Sequence, residues 1–136
     1  MEVSTRDLVA FAHVADVERT IRFYSDLGFH VANSVVQEGS TVPVWAWLES
    51  GKANLMVGAA SAPVEASQQA VLFYLYYGDI RQVHATLLAL GHEPGEIRHP
   101  FYMPGGEFRL CDPDGYVLML AQAQIRRARG IAMNRQ

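Results

Sequence analysis

The feature that most constrains this chain is an internal repeat. A shift of 63 positions carries Asp16 onto Asp79, Val17 onto Ile80, Leu27 onto Leu90 and Gly28 onto Gly91. The same shift carries Leu55 onto Leu118 and Met56 onto Met119. Identity between the halves is low, yet the matches fall where a helix must be capped or stopped, which are the most demanding points of a backbone. The chain therefore has to pack two copies of one supersecondary unit.

The order of elements within each copy follows from hydrophobic periodicity. Residues 8–14 are apolar and predict a buried strand. Asp16 stands in an N-cap context, and Val17, Ile21, Tyr24 and Leu27 recur at helical spacing until Gly28. Strand-like runs follow at 29–36, 44–48 and 53–57, separated by the turn-rich stretches Glu38-Gly39-Ser40 and Glu49-Ser50-Gly51-Lys52. A polar, Ala/Ser-rich segment at 59–69 connects the halves. Residues 71–77 then predict a strand, and Asp79 caps a helix carrying Ile80, Val83, Leu87 and Leu90 up to Gly91. A weak strand is expected within 93–102, and strands at 107–111 and 116–121 are joined by the turn Asp112-Pro113-Asp114-Gly115. Each copy is thus a βαβββ unit. The pseudo-repeats span about 7–58 and 70–122, with a tail at 123–136, and all 136 residues are expected to form a single domain.

Composition excludes several classes. Half the residues are hydrophobic and 18% are charged, as in a folded globular protein. A formal net charge of -3 gives no general attraction to nucleic acid or to an anionic membrane. The basic cluster Arg126, Arg127 and Arg129 lies in the tail and is expected to be a solvated helix end. No apolar run is long enough to span a bilayer, and Met1-Glu2-Val3-Ser4 lacks a secretory pattern. Cys111, the one cysteine, cannot form an intramolecular disulfide and is expected to be a buried structural thiol. A cytoplasmic location is expected.

The run Val14-Ala15-Asp16-Val17-Glu18-Arg19-Thr20-Ile21-Arg22-Phe23-Tyr24, followed by Leu27-Gly28-Phe29, resembles the first-unit signature of the vicinal oxygen chelate superfamily. That group holds glyoxalase I, extradiol dioxygenases, fosfomycin-resistance enzymes and bleomycin-resistance proteins. Asp112-Pro113-Asp114-Gly115-Tyr116, before a terminal apolar strand, resembles its second-unit signature. The resemblance covers about residues 7–122. It implies an α+β fold of two tandem βαβββ units whose curved mixed sheets surround a cup, and it is much less specific for activity.

The resemblance also implies where metal ligands would stand in the superfamily's enzymes: near the start of each unit's first strand and in each unit's last strand. Here those positions hold Val9, Leu72, Met56 and Met119. Leu and Val cannot ligate, and thioether sulfur suits mainly Cu(I), whereas zinc, nickel, manganese and iron take imidazole and carboxylate. No metal and no other cofactor is expected. His30, His84, His92 and His99 are expected to be satisfied or solvent-facing, while His13, on the strand face of Val9, stays open as a ligand contact. The turn at 112–115 lacks the closing Glu of a calcium loop, and Met103-Pro104-Gly105-Gly106 lacks the Lys-Ser/Thr of a phosphate loop.

Strand alternation sorts the remaining side chains. Val44, Ala46 and Leu48 share the parity expected to pack under a helix, whereas Trp45 and Trp47, with approximate counterparts Glu107 and Arg109, share the other. Phe11 and His13 correspond to Tyr74 and Tyr76 under the 63-residue shift. The expected ligand-binding set is Phe11, His13, Trp45, Trp47, Met56, Tyr74, Tyr76, Arg109 and Met119. Phe101, Tyr102 and Met103 form a second cluster in a loop able to close over it. Large rings and Met suit a flat apolar ligand.

These residues and the resemblance imply a metal-free binding protein similar to bleomycin-resistance proteins, a homodimer that sequesters an aromatic or peptide antibiotic in interfacial clefts without catalysis. The alternative is a metal-dependent lyase, isomerase or dioxygenase using Glu49, Glu107, His13 or His99. A third is a regulatory or scaffolding module whose cup is filled by side chains.

Overall fold

Asp16 and Asp79 open the two helices as their spacing predicts. In the computed structural model, which describes residues 2–124, Asp16 accepts a hydrogen bond from the Arg19 N–H at 3.0 Å and Asp79 accepts one from the Gln82 N–H at 3.2 Å. Each carboxylate satisfies an N–H that has no partner within its own helix. The helices also close alike. The N–H groups of Phe29 and His92 reach back to the carbonyls of Tyr24 and Leu87, across Gly28 and Gly91 at φ 104° and 93°.

The elements run β1 (Ala10–Val14), α1 (Val17–Ser25), β2 (His30–Val36), β3 (Pro43–Ser50), β4 (Ala53–Ala59), β5 (Leu72–Tyr77), α2 (Ile80–Ala89), β6 (Glu107–Cys111) and β7 (Val117–Gln122), with a short 3-10 turn at Ala66–Gln68. They fall into two compact units. Among the described residues, unit 1 comprises 2–70 with Asp112–Tyr116, and unit 2 comprises Val71–Cys111 with 117–124. The basic cluster Arg126, Arg127 and Arg129, and the tail from residue 125 onward, lie outside the described residues.

Unit 1 holds a four-stranded mixed sheet in the order β1-β4-β3-β2. β1 runs parallel to β4, and the other neighbours are antiparallel. Ala12, Val14, Ala46, Leu48, Leu55 and Val57 are buried on the side that packs against Val17, Tyr24 and Leu27 of α1 and its C-terminal turn. Thr20, also fully buried, donates its hydroxyl to the Asp16 carbonyl, which is why a polar residue is tolerated on that helix face.

Unit 2 holds a three-stranded sheet in the order β5-β7-β6, again with one parallel pair, β5 with β7. Phe108, Leu110, Leu118 and Leu120 are buried together with Ile80 and Leu87 of α2. The strand expected within 93–102 is reduced to one isolated bridge between Arg98 and Glu107. Pro94, Gly95 and Pro100 explain the reduction, since proline lacks a ladder N–H and glycine weakens an extended run. Leu90, expected on the packed face of α2, lies just past the end of the helix at Ala89 and is 54% exposed, whereas its counterpart Leu27 is buried. Cys111, expected to be buried, is exposed, since β6 turns alternate residues toward the open side of its sheet. No helix among the described residues is long and apolar enough to cross a membrane.

Candidate functional site

In each unit one sheet face is covered by a helix and the other is built from large side chains. Register fixes the rows, because residues paired across neighbouring strands share a face. In unit 1, Met56 lies between Phe11 and Trp47, and Gly58 lies between His13 and Trp45. The face is therefore Phe11-Met56-Trp47 in one row and His13-Gly58-Trp45 in the next. The Phe11 and His13 rings stand 4.9 Å apart, tilted by 45°.

Gly58 is the gap that lets the Phe11 ring lie down. A Cβ on this residue would stand 2.6 Å from Phe11 Cζ, so the Phe11 ring occupies the space above the glycine backbone. Trp47 is oriented by its indole N–H, which donates to Asn54 Oδ1 at 2.9 Å. Trp45 and Trp47 are half-buried, while Phe11 is 45% exposed. Apolar ring surface is thus left available to a partner.

In unit 2 the corresponding rows are Tyr74-Met119-Arg109 and Tyr76-Ala121-Glu107. Phe11 and Met56 match Tyr74 and Met119 at the 63-residue shift, but Trp47 and Trp45 match Arg109 and Glu107 at a shift of 62. The second repeat is one residue shorter ahead of β6 and one residue longer in the connection from β6 to β7. The Tyr74 and Tyr76 rings stack at 6.1 Å with a 23° interplanar angle.

Glu107 is the residue whose importance parity alone does not reveal. It is only 5% exposed, and its two carboxylate oxygens each accept a phenol: Tyr74 Oη donates to Oε1 at 3.1 Å and Tyr102 Oη to Oε2 at 3.2 Å. Burial of the Tyr74 phenol, together with the carboxylate beside it, pushes its pKa up to about 12. The Glu107 charge likewise raises Tyr102. Tyr102 sits in the loop before β6, with the neighbouring Phe101 ring edge-on at 5.5 Å and 95% exposed. Alternation did put Glu107 beside Arg109, but the pattern of β6 carries no mark of the phenols that hold it.

The structure thus groups Phe11, His13, Trp45, Trp47 and Met56 in unit 1. It groups Tyr74, Tyr76, Arg109 and Met119 in unit 2, with Tyr102 joined to them through Glu107. Arg109 also borders an open groove of about 510 Å³ in unit 2, shared with Gly91, His92, Glu93, Gly95, Leu110 and Cys111.

The turn at 112–116 has a different role, as an anchor of unit 1. Asp112 Oδ1 accepts the N–H groups of Asp114 and Tyr116, both at 2.9 Å, and Oδ2 accepts the Tyr24 phenol at 2.8 Å. Asp114 Oδ1 accepts the Ala15 N–H at 2.9 Å. Burial raises the Asp112 pKa against the lowering effect of these bonds, and burial first, then Asp112, raises that of Tyr24. Gly115, at φ 87°, is required twice over, since any Cβ there would also collide with Ala66.

The donor set does not suit a catalytic metal. Val9, Met56, Leu72 and Met119 offer no imidazole or carboxylate, and no three His, Cys, Asp or Glu side chains converge among the described residues. Glu49 lies 3.7 Å from the His30 ring, His99 Nδ1 meets the Pro104 carbonyl at 3.0 Å, and Glu107 is held by its tyrosines.

A family model, that of the Glyoxalase/Bleomycin resistance protein/Dioxygenase superfamily, matches residues 8–120. No curated protein matches the chain. Among solved structures, the chain is similar to a bleomycin resistance determinant encoded on the transposon Tn5, at 20% identity and a TM-score of 0.70, covering 89% of this chain and 100% of that one. It is similar to a bleomycin-binding protein complexed with bleomycin, at 20% identity and a TM-score of 0.69, covering 88% and 100%. It is also similar to TnmS3, an antibiotic binding protein from Streptomyces sp. CB03234, at 19% identity and a TM-score of 0.68, covering 91% and 100%. At these identities the likeness is one of fold.

Proposed function

Because the chain belongs to the Glyoxalase/Bleomycin resistance protein/Dioxygenase superfamily, we propose that it binds an aromatic or peptide antibiotic and sequesters it unchanged. The observation that carries this reading is the pair of sheet faces. Each unit turns aromatic and Met side chains outward on the side opposite its helix, with Phe11, Trp45, Trp47 and Met56 on one face and Tyr74, Tyr76 and Met119 on the other. Three similar structures described as bleomycin-resistance or antibiotic-binding proteins support the same reading.

Ring stacking supplies the affinity. An aromatic pair adds about 0.5–1.5 kcal/mol beyond the area it buries. Two such pairs amount to roughly 5- to 150-fold in binding. In this reading the ligand-binding set is Phe11, His13, Trp45, Trp47, Met56, Tyr74, Tyr76, Phe101, Tyr102, Arg109 and Met119. The protein acts in the cytoplasm as a homodimer with ligand at the subunit interface, and no metal takes part. The apolar residues at Val9, Met56, Leu72 and Met119 favour this over metal-dependent catalysis.

Tryptophan fluorescence tests the proposal, because Trp45 and Trp47 are the only tryptophans and both lie on the unit 1 face. Titration with bleomycin and a panel of planar and peptide antibiotics is expected to give saturable quenching with at least one of them. A flat response across the panel overturns it.

A further inference from the structure

The buried carboxylate of unit 2 gives the proposed ligand a chemical class. We infer that Glu107 is the recognition point for a cationic N–H donor on the ligand, an ammonium, amidinium or guanidinium, and that Tyr102 is its displaceable cover. This inference rests on the binding reading above and goes beyond it by assigning charge.

Three observations support the assignment. First, Glu107 is withdrawn from water, and the described residues give it no counter-charge. Among the described residues no cation forms an ion pair with it: Arg98 pairs with Glu96 at 3.5 Å, and Arg109, two residues along the same strand face, makes no ion pair with it. A desolvated carboxylate held only by neutral donors attracts a cation more strongly than a solvated one does.

Second, the carboxylate is not saturated. It has about four acceptor positions, and among the described residues it accepts two hydrogen bonds, from Tyr74 and Tyr102. A nitrogen donor on a ligand has somewhere to bind.

Third, the surroundings suit a cation attached to a flat ring. Tyr74 and Tyr76 stack beside the carboxylate, offering aromatic faces to both the charge and the ring. The two phenols that cap Glu107 differ in kind. Tyr74 lies in β5 within the sheet, whereas Tyr102 lies in a loop and is 56% exposed. An entering cation therefore displaces Tyr102 from Oε2 and leaves Tyr74 in place.

The test uses three fluorescent probes that share one ring system: 1-pyrenemethylamine (cationic at neutral pH), 1-pyrenemethanol (neutral) and 1-pyrenecarboxylate (anionic). Binding to the whole protein is followed by anisotropy. The cationic probe is expected to bind at least about tenfold more tightly than the neutral one, with the difference shrinking as salt is added. Glu107→Gln, which removes the charge and one of the two accepting oxygens, is expected to lower the affinity for the cationic probe selectively, down to the level of the neutral one. Tyr102→Phe removes the competing donor and is expected to hold or raise affinity for the cationic probe. Equal binding of all three probes by the wild-type protein overturns the role of Glu107 but leaves aromatic binding intact. A uniform loss for all three in Glu107→Gln also overturns it, since that is the signature of a merely structural carboxylate. Failure of every probe to bind the wild-type protein overturns the aromatic-binding reading as well.

Discussion

Tyr24 and Asp112 stand 88 positions apart in the chain and are joined by a buried 2.8 Å hydrogen bond. Tyr24 is the innermost aromatic of α1, and Asp112 opens the turn that follows β6, so the first repeat carries a buried residue completed by a turn from the second. Tyr24→Phe keeps the ring and deprives a buried carboxylate of its donor. It is expected to cost about 1.5–3 kcal/mol in chemical denaturation. An unchanged denaturation midpoint would show that the bond contributes nothing.

Asp112 also has a pH signature. Its folded pKa is raised above 3.8, chiefly by burial, so the folded state binds this proton more tightly than the unfolded chain. The stability it contributes is therefore complete below pH 3.8 and is lost as pH rises through the raised value. Comparing the acid limbs of stability for the wild-type protein and Asp112→Asn isolates the effect. The wild-type curve is expected to fall relative to the variant as pH rises through this window, and parallel curves would contradict it.

The tyrosines predict a second pH dependence, at the alkaline end. Tyr74 and Tyr77 are pushed up to about 12, and Tyr24 is raised as well. Burial comes first in each case, with Glu107 adding to it at Tyr74 and Asp112 at Tyr24. Each is a raised pKa, so its contribution is complete below pH 10 and is lost as pH climbs through the folded value. Phenolate absorbance followed alongside circular dichroism is expected to show ionisation of these groups lagging behind that of free tyrosine and accompanying alkaline unfolding. Ionisation of all six at the free value, with the fold intact, is the opposing result.

Gly58 separates stability from binding. Its backbone is not in the left-handed region, so Ala fits the strand, but the new methyl would meet the Phe11 ring, whose flexible end can swing away. Gly58→Ala is expected to change stability by less than about 1 kcal/mol, since a strand glycine is itself unfavourable. It is also expected to weaken any ligand that quenches Trp45 and Trp47, because Phe11 is driven off its row. Unchanged affinity together with unchanged stability would remove Phe11 from the site.

Much of this was legible because caps, stops and alternation are local rules. Asp16, Gly28, Asp79 and Gly91 announce the helices, and the parity of Trp45 and Trp47 against Ala46 and Leu48 announces the faces. What escaped depends on long-range pairing. The turn at 112–115 was visible as a turn, but its bonds to Tyr24 and Ala15 span most of the chain and leave no local pattern. Parity puts Glu107 with Arg109 on the pocket-wall face of β6, and only the phenols of Tyr74 and Tyr102 explain how a carboxylate is buried there. The segment 93–102 was expected to pair as a strand, and its prolines and glycine leave a single bridge instead.

Equilibrium dialysis of the purified protein against bleomycin and related antibiotics, with mass analysis of the compound on both sides, tests the central claim most directly. The predicted result is saturable accumulation of at least one compound on the protein side, recovered with its mass unchanged. Equal concentrations on both sides for every compound, or recovery of a chemically altered product, would contradict it.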